Sequence, residues 1–134
     1  MTDQEHKDLV NYRINRAKET IDEVIILVEN KKWNSAVNIL YYSCFYAVIA
    51  LLVSENILTK THSGVRQMFG QHFGKTGLIH PDIAKFYSQI FDQRQMSDYD
   101  DFVQFNQEEL AEMIPQAQEL INAIENYLIS KNSF

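Results

Sequence analysis

Along residues 2–30, Leu9, Ile14, Ala17, Ile21, Val24, Ile25 and Val28 recur at helical steps and fall on one stripe. Arg13, Arg16, Lys18, Glu19, Asp22 and Glu23 fill the other side. That alternation predicts an amphipathic helix with one face to bury. Lys31 and Lys32 follow it, where unpaired carbonyls and the negative end of the helix dipole favour cations.

The next segment has a different character. Trp33–Ser54 contains no charged residue, and its apolar side chains occur on every side. A run of this length is long enough for a membrane span. Yet Asn34, Asn38 and Ser43 interrupt it, and Tyr41, Tyr42 and Tyr46 sit mid-segment instead of at the ends, where interfacial tyrosines collect. The flanking helices each carry one apolar stripe that needs a partner. The segment is therefore expected to be the central helix of a bundle and not a membrane helix. Its tyrosines and Asn38 then need hydrogen-bond partners, so they either knit the bundle together or line a cleft.

Beyond it, Thr61 is a predicted N-cap for a short helix carrying Val65, Met68, Phe69 and Phe73, which ends among Gly70, Gly74 and Gly77. His80-Pro81-Asp82 reads as a fresh start, with proline in the first turn. The helix it opens carries Ile83, Phe86, Tyr87, Ile90 and Phe91 and is expected to reach Met96 or Asp98, with a loop over 97–105. Asn106 and Glu109 have capping-box spacing. Leu110, Met113, Ala117, Leu120, Ile124 and then Tyr127 or Leu128 complete a last helix, which Pro115 is expected to bend. The architecture expected is all-α: an up-and-down bundle of four long helices plus one short helix, as a single domain over 1–134.

Composition agrees with that expectation. A chain of 134 residues supports one core, and four glycines and two prolines are too few for the turns of a β-sandwich or barrel. A lone cysteine, Cys44, excludes an internal disulfide and is expected in the core. The charged residues 1–11 carry no signal-peptide core, so a cytoplasmic location is expected. Net charge is −6, which argues against general DNA binding. The charge is uneven, however: residues 56–81 hold Lys60, Arg66, Lys75, His62, His72 and His80 and no carboxylate. Such a segment either meets a phosphate or is neutralised by acids on neighbouring helices.

Chemistry-bearing signatures are sparse. There is no Gly-rich phosphate loop, no nucleophile elbow and no zinc-type spacing, so neither a metal nor a cofactor is expected. One constellation stands out, the run Arg94-Gln-Met-Ser-Asp98-Tyr99. On a helix Arg94 and Asp98 share a face. They form either a simple intrahelical ion pair or an arginine fork for phosphate, steadied by Asp98 and helped by the Tyr99 hydroxyl.

Asn38 and the run Leu40-Tyr41-Tyr42-Ser43-Cys44-Phe45-Tyr46-Ala47 resemble the second helix of HEPN-domain proteins. Thr61-His62-Ser63-Gly64-Val65 with Phe69 and Phe73, and Arg94 followed by Asp98-Tyr99, resemble later motifs of the same family, in the same order. The likeness is greatest to small prokaryotic members that accompany minimal nucleotidyltransferases. It implies a helical bundle that dimerises, a toxin-antitoxin-like setting, and either a nucleotide- or RNA-binding subunit or a metal-independent endoribonuclease. In the nuclease members a histidine follows the arginine and moves protons at the dimer cleft; here Asp98 and Tyr99 occupy that stretch. An ordinary aspartate, with a pKa of about 4, is a poor proton shuttle at neutral pH. His62, with Lys60 and Arg66, is the candidate to compensate, or else it caps and packs at its helix start. The site is thus expected where Arg94, Asp98, Tyr99 and His62 meet Asn38, Tyr42 and Tyr46. A binding module partnering a nucleotidyltransferase or a second copy is the leading expectation, with the ribonuclease as the alternative.

Overall fold

A computed structural model describes residues 1–99 and 102–134. Five α-helices follow one another: α1 (Asp3–Glu29), α2 (Trp33–Ser54), α3 (His62–Phe69), α4 (Pro81–Tyr99) and α5 (Gln107–Ser130). No strand occurs among the described residues. The four long helices form the bundle and α3 closes one end of it.

Why α2 is central follows from its sequence. It packs against α1, α3, α4 and α5, and Ala36, Val37, Leu40, Tyr41, Cys44, Ala47, Val48, Ala50, Leu51 and Leu52 are all buried. Each fully buried branched aliphatic contributes about 1.5–3 kcal/mol, so this helix anchors the core. It is the one helix among the described residues that is long and apolar enough to cross a membrane, and its apolar surface is largely taken up inside the bundle. Cys44 is fully buried, and desolvation pushes its thiol up to about 12. That makes it a core filler and not a nucleophile.

Helix ends are fixed by local chemistry. Thr2, Thr61 and Asn106 each accept a hydrogen bond from the backbone N–H three residues on, and Asn106 with Glu109 forms a complete capping box. Gly64 sits so close to the Thr61 cap that a Cβ there would lie 2.9 Å from the Thr61 hydroxyl oxygen. At the other ends Lys31, Asn56 and Asn132 adopt the left-handed conformation. The next N–H reaches five residues back in each case, Lys32 to Leu27, Ile57 to Leu52 and Ser133 to Leu128, which satisfies carbonyls the helix leaves open.

The structure departs from the expected pattern in two places, the core-facing stripe of α1 and the end of α4. In α1, Val10 is fully buried while Ile25 is 39% exposed, because the core-facing stripe runs Val10, Ile14, Ala17, Thr20, Val24. The helical run that α3 begins ends among the glycines as expected, through a π-helical turn, Gly70–Gly74, closed by the Lys75 N–H on the Gly70 carbonyl. The wider turn seats Phe73 in the core, stacked on Phe69. Helix α4 runs to Tyr99, so the loop expected over 97–105 begins later; its residues 100 and 101 lie outside the described residues. Pro115 lies inside α5 on its exposed side, so the carbonyl it leaves unpaired faces water.

Candidate functional site

Two helical faces meet at the site. On α2, Asn38, Tyr41, Tyr42 and Phe45 fall at steps of three and four and so share one face. On α4, Tyr87, Ile90 and Phe91 are buried, and Arg94 continues their stripe by one turn. A guanidinium thereby arrives against tyrosine rings at the edge of the core.

Arg94 is held from several directions. Its Nε lies 3.0 Å from Asp98 Oδ2 and donates to Asn38 Oδ1 at 3.4 Å, while Nη2 donates to the Tyr42 hydroxyl at 3.2 Å. The guanidinium carbon stands 5.2 Å from the Tyr41 ring centre and 5.4 Å from that of Tyr42, within cation–π range. The Arg94 side chain remains 18% exposed and that of Asp98 34% exposed. The intrahelical pair expected from the sequence is formed, and the guanidinium rests on an aromatic floor with part of it open to solvent. A groove of about 680 Å³ opens beside its partners Asn38 and Asp98, which line it with Asn34, Ser35, Ser97 and the carboxylate of Glu23; Arg94 itself stands behind them. Asn34 pins the groove's far wall, donating to the Val103 carbonyl at 3.0 Å and accepting the Phe105 N–H at 2.9 Å.

His62 reaches this cluster through a residue the sequence reading did not nominate for the site. Because the buried Tyr87 hydroxyl donates to the Tyr41 oxygen at 3.5 Å, we assign the Tyr41 proton to its contact with His62 Nδ1, 2.7 Å away. Neutral His62 then carries its own proton on Nε2. Its ring stacks on Phe45, with centres 4.4 Å apart and planes 19° apart. Burial, and then the charge of Arg94, hold His62 below the ordinary histidine pKa, so it is neutral near pH 7. Burial likewise raises Tyr41 and Tyr87, which keeps both phenols protonated as donors. His62 is thus packed at its helix start, and it reaches the arginine cluster through Tyr41.

The remaining nominated residues are not brought together. Arg66 pairs with Asp92 at 2.8 Å and lies over the Phe91 ring at 4.2 Å, away from Arg94. Tyr46 faces α1, with the Arg16 guanidinium 5.1 Å from its ring, and meets the site through Tyr42, 6.3 Å away. Lys60 is exposed on the connector before α3. Tyr99 is 82% exposed at the end of α4 and does not join Arg94 and Asp98 as a third ligand-binding group. Among the described residues, no three His, Cys, Asp or Glu side chains converge as a metal site would require. Tyr41 and Tyr87 stand 46 residues apart, and their pairing leaves no local signal beyond buried tyrosines needing partners.

Comparison with known proteins completes the description. A protein of Thermotoga maritima named "UPF0332 protein" is 36% identical over 124 residues, covering 92% of this chain and 94% of its own length. One from Methanocaldococcus jannaschii, named "Putative toxin MJ0142", is 33% identical over 119 residues, 89% of this chain and 81% of its own. The model of the HEPN domain matches residues 10–127, from the first buried turn of α1 to the last turns of α5. The chain belongs to the HEPN domain family.

Proposed function

We propose that this chain is the HEPN subunit of a toxin-antitoxin-like pair, acting in the cytoplasm as a homodimer beside a minimal nucleotidyltransferase. In this reading it holds a phosphate of a nucleotide or RNA at Arg94. The observation that carries the reading is the fixed, partly exposed guanidinium, seated on Tyr41 and Tyr42 and held by Asn38 and Asp98, which line an open groove. A planar fork of donors whose orientation is set in advance suits phosphate oxygens. An incoming phosphate exchanges with Asp98 for the guanidinium, so Asp98 keeps the arginine oriented while the site is empty. The toxin-like setting is supported by the name carried by the Methanocaldococcus jannaschii relative and by the family. Exposed Tyr99, at the end of the helix that presents Arg94, is the hydroxyl a nucleotide-transferring partner reaches most easily.

Binding is favoured over cleavage by the state of His62. With Nδ1 engaged by the Tyr41 hydroxyl and the proton on Nε2, the imidazole is a hydrogen-bond donor and not a free base. Metal-independent cleavage needs a base for the ribose 2′-hydroxyl. The test is incubation of a mixed structured and single-stranded RNA pool in EDTA with wild type, Arg94→Ala and His62→Ala, alongside binding of the same RNAs and of mononucleotides. We expect intact RNA throughout and at least tenfold weaker binding in Arg94→Ala. Cleavage by wild type that disappears in Arg94→Ala would overturn the binding reading in favour of a ribonuclease.

A further inference from the structure

His62 also lines a second, smaller pocket that Arg94 does not reach. It holds about 270 Å³ between α1, the C-terminal half of α2, the connector after α2 and the start of α3. Its apolar wall includes Phe45, Ile49 and Val65, and its polar lining is Arg13, Thr59, Lys60, Thr61 and His62. No carboxylate among the described residues lines it.

Three independent features make this pocket an anion site in waiting. First, Arg13 Nε is buried and has no hydrogen-bond partner among the described residues. A guanidinium N–H withdrawn from water without an acceptor is a rare arrangement that calls for one. Second, Lys60 and Arg13 form no ion pair with any of the described residues, whereas Arg66, from the same carboxylate-free stretch, is already matched by Asp92. Third, His62 presents a donor: Tyr41 occupies Nδ1, which leaves the ring proton on Nε2. The first turn of α3, capped by Thr61, adds the positive end of a helix dipole to the same rim.

We propose that this pocket binds a phosphate monoester, with Arg13, Lys60 and His62 donating to the phosphate oxygens and Phe45 and Ile49 contacting the organic portion. Its volume suits a phosphate and a sugar-sized group, not a whole dinucleotide. A free nucleoside monophosphate and the terminal phosphate of an RNA both supply that chemistry. The identity of the ligand as a nucleotide or RNA end rests on the function proposed above; the site itself rests on the pocket. Since Tyr41 touches both His62 and the Arg94 guanidinium, one RNA end held here would lie beside the Arg94 cluster.

The experiment is a titration of the full chain, followed by amide and arginine Nε–H chemical shifts. Probes are adenosine monophosphate, a short 5′-phosphorylated oligoribonucleotide and its unphosphorylated twin. Saturable shifts at Arg13 Nε–H and across residues 58–65 are expected, at least tenfold weaker for the twin. Arg13→Gln and, separately, the exposed Lys60→Gln should each weaken binding severalfold, with Arg13→Lys recovering part of the loss. Preference for adenosine monophosphate over the oligomer names a free nucleotide as the ligand, and the reverse names an RNA end. Absence of shifts at these residues, or equal binding in wild type and Lys60→Gln, overturns the proposal. Binding lost in Arg94→Ala but intact in both pocket variants would overturn it while leaving the Arg94 reading standing. Pocket binding that survives Arg94→Ala, with no effect of that change on RNA, would do the opposite.

Discussion

His62 is the residue whose behaviour most directly reports the wiring of the site. Its pKa is lowered first by burial and second by Arg94, while Tyr41 donates to its unprotonated nitrogen. The unfolded chain binds a proton at His62 more readily than the folded one, so the contribution of this group is full above its unfolded pKa of about 6.5. As pH falls through that value toward the folded pKa, stability is lost; below the folded pKa the loss levels off. Arg94→Gln removes the second cause, so the His62 pKa should rise toward the ordinary value and the acid-side loss of stability should shrink. Imidazole Cε1–H shifts against pH, with melting at matched pH values, check both. An unchanged His62 titration in Arg94→Gln would mean that the arginine charge does not reach the ring.

At the level of elements, the fold was largely legible because single helices announce their environments. The charge-free Trp33–Ser54 could satisfy its pattern only by contact on all sides, and it touches four other helices. Asn106 with Glu109 marked the start of α5, and both halves of the box are formed, at 2.9 and 3.1 Å. Replacing Asn106 with Ala exposes those first-turn donors and should cost about 1 kcal/mol. Thermal melting should show a midpoint lower by about 2–8 °C, and Asn106→Asp should keep most of the stability. The places that misled are those where helical phase or long-range contact decides. Val10 and Ile25 exchange roles because a shift of one position turns a side chain by about 100° around the helix. The glycines located the end of α3, but nothing in their spacing announced that the last turn, Gly70–Gly74, is π-helical. Arg94 and Asp98 were legible as an i, i+4 pair, whereas Tyr41, Tyr87 and Asn34 act through partners 21 to 71 residues away. No local spacing encodes such contacts.

Across the whole molecule, an acidic chain has to confine any phosphate chemistry to small places. Net charge is −6, and residues 98–134 carry one basic and eight acidic side chains. Neighbouring acids do neutralise part of the basic stretch, as Asp92 does for Arg66, and Glu125 pairs with Lys18 across α1 and α5. The two places proposed above for phosphate are the Arg94 cluster and the pocket of Arg13, Lys60 and His62. Two such contacts release about two counterions from a single strand, giving a slope of log affinity against log salt of about −1.4. A surface that tracks an RNA backbone through six contacts would give about −4. Fluorescence anisotropy of a labelled single-stranded RNA, measured between about 50 and 200 mM salt, separates the two cases. The shallow slope is expected, together with little gain in affinity as the RNA is lengthened beyond a few nucleotides, since the acidic faces repel the remaining phosphates. A slope of about −3 or steeper would require a continuous basic track and would sink the picture of two confined sites. If Arg94→Ala and Lys60→Gln each reduce the slope by about 0.7, the two contacts are the ones named here.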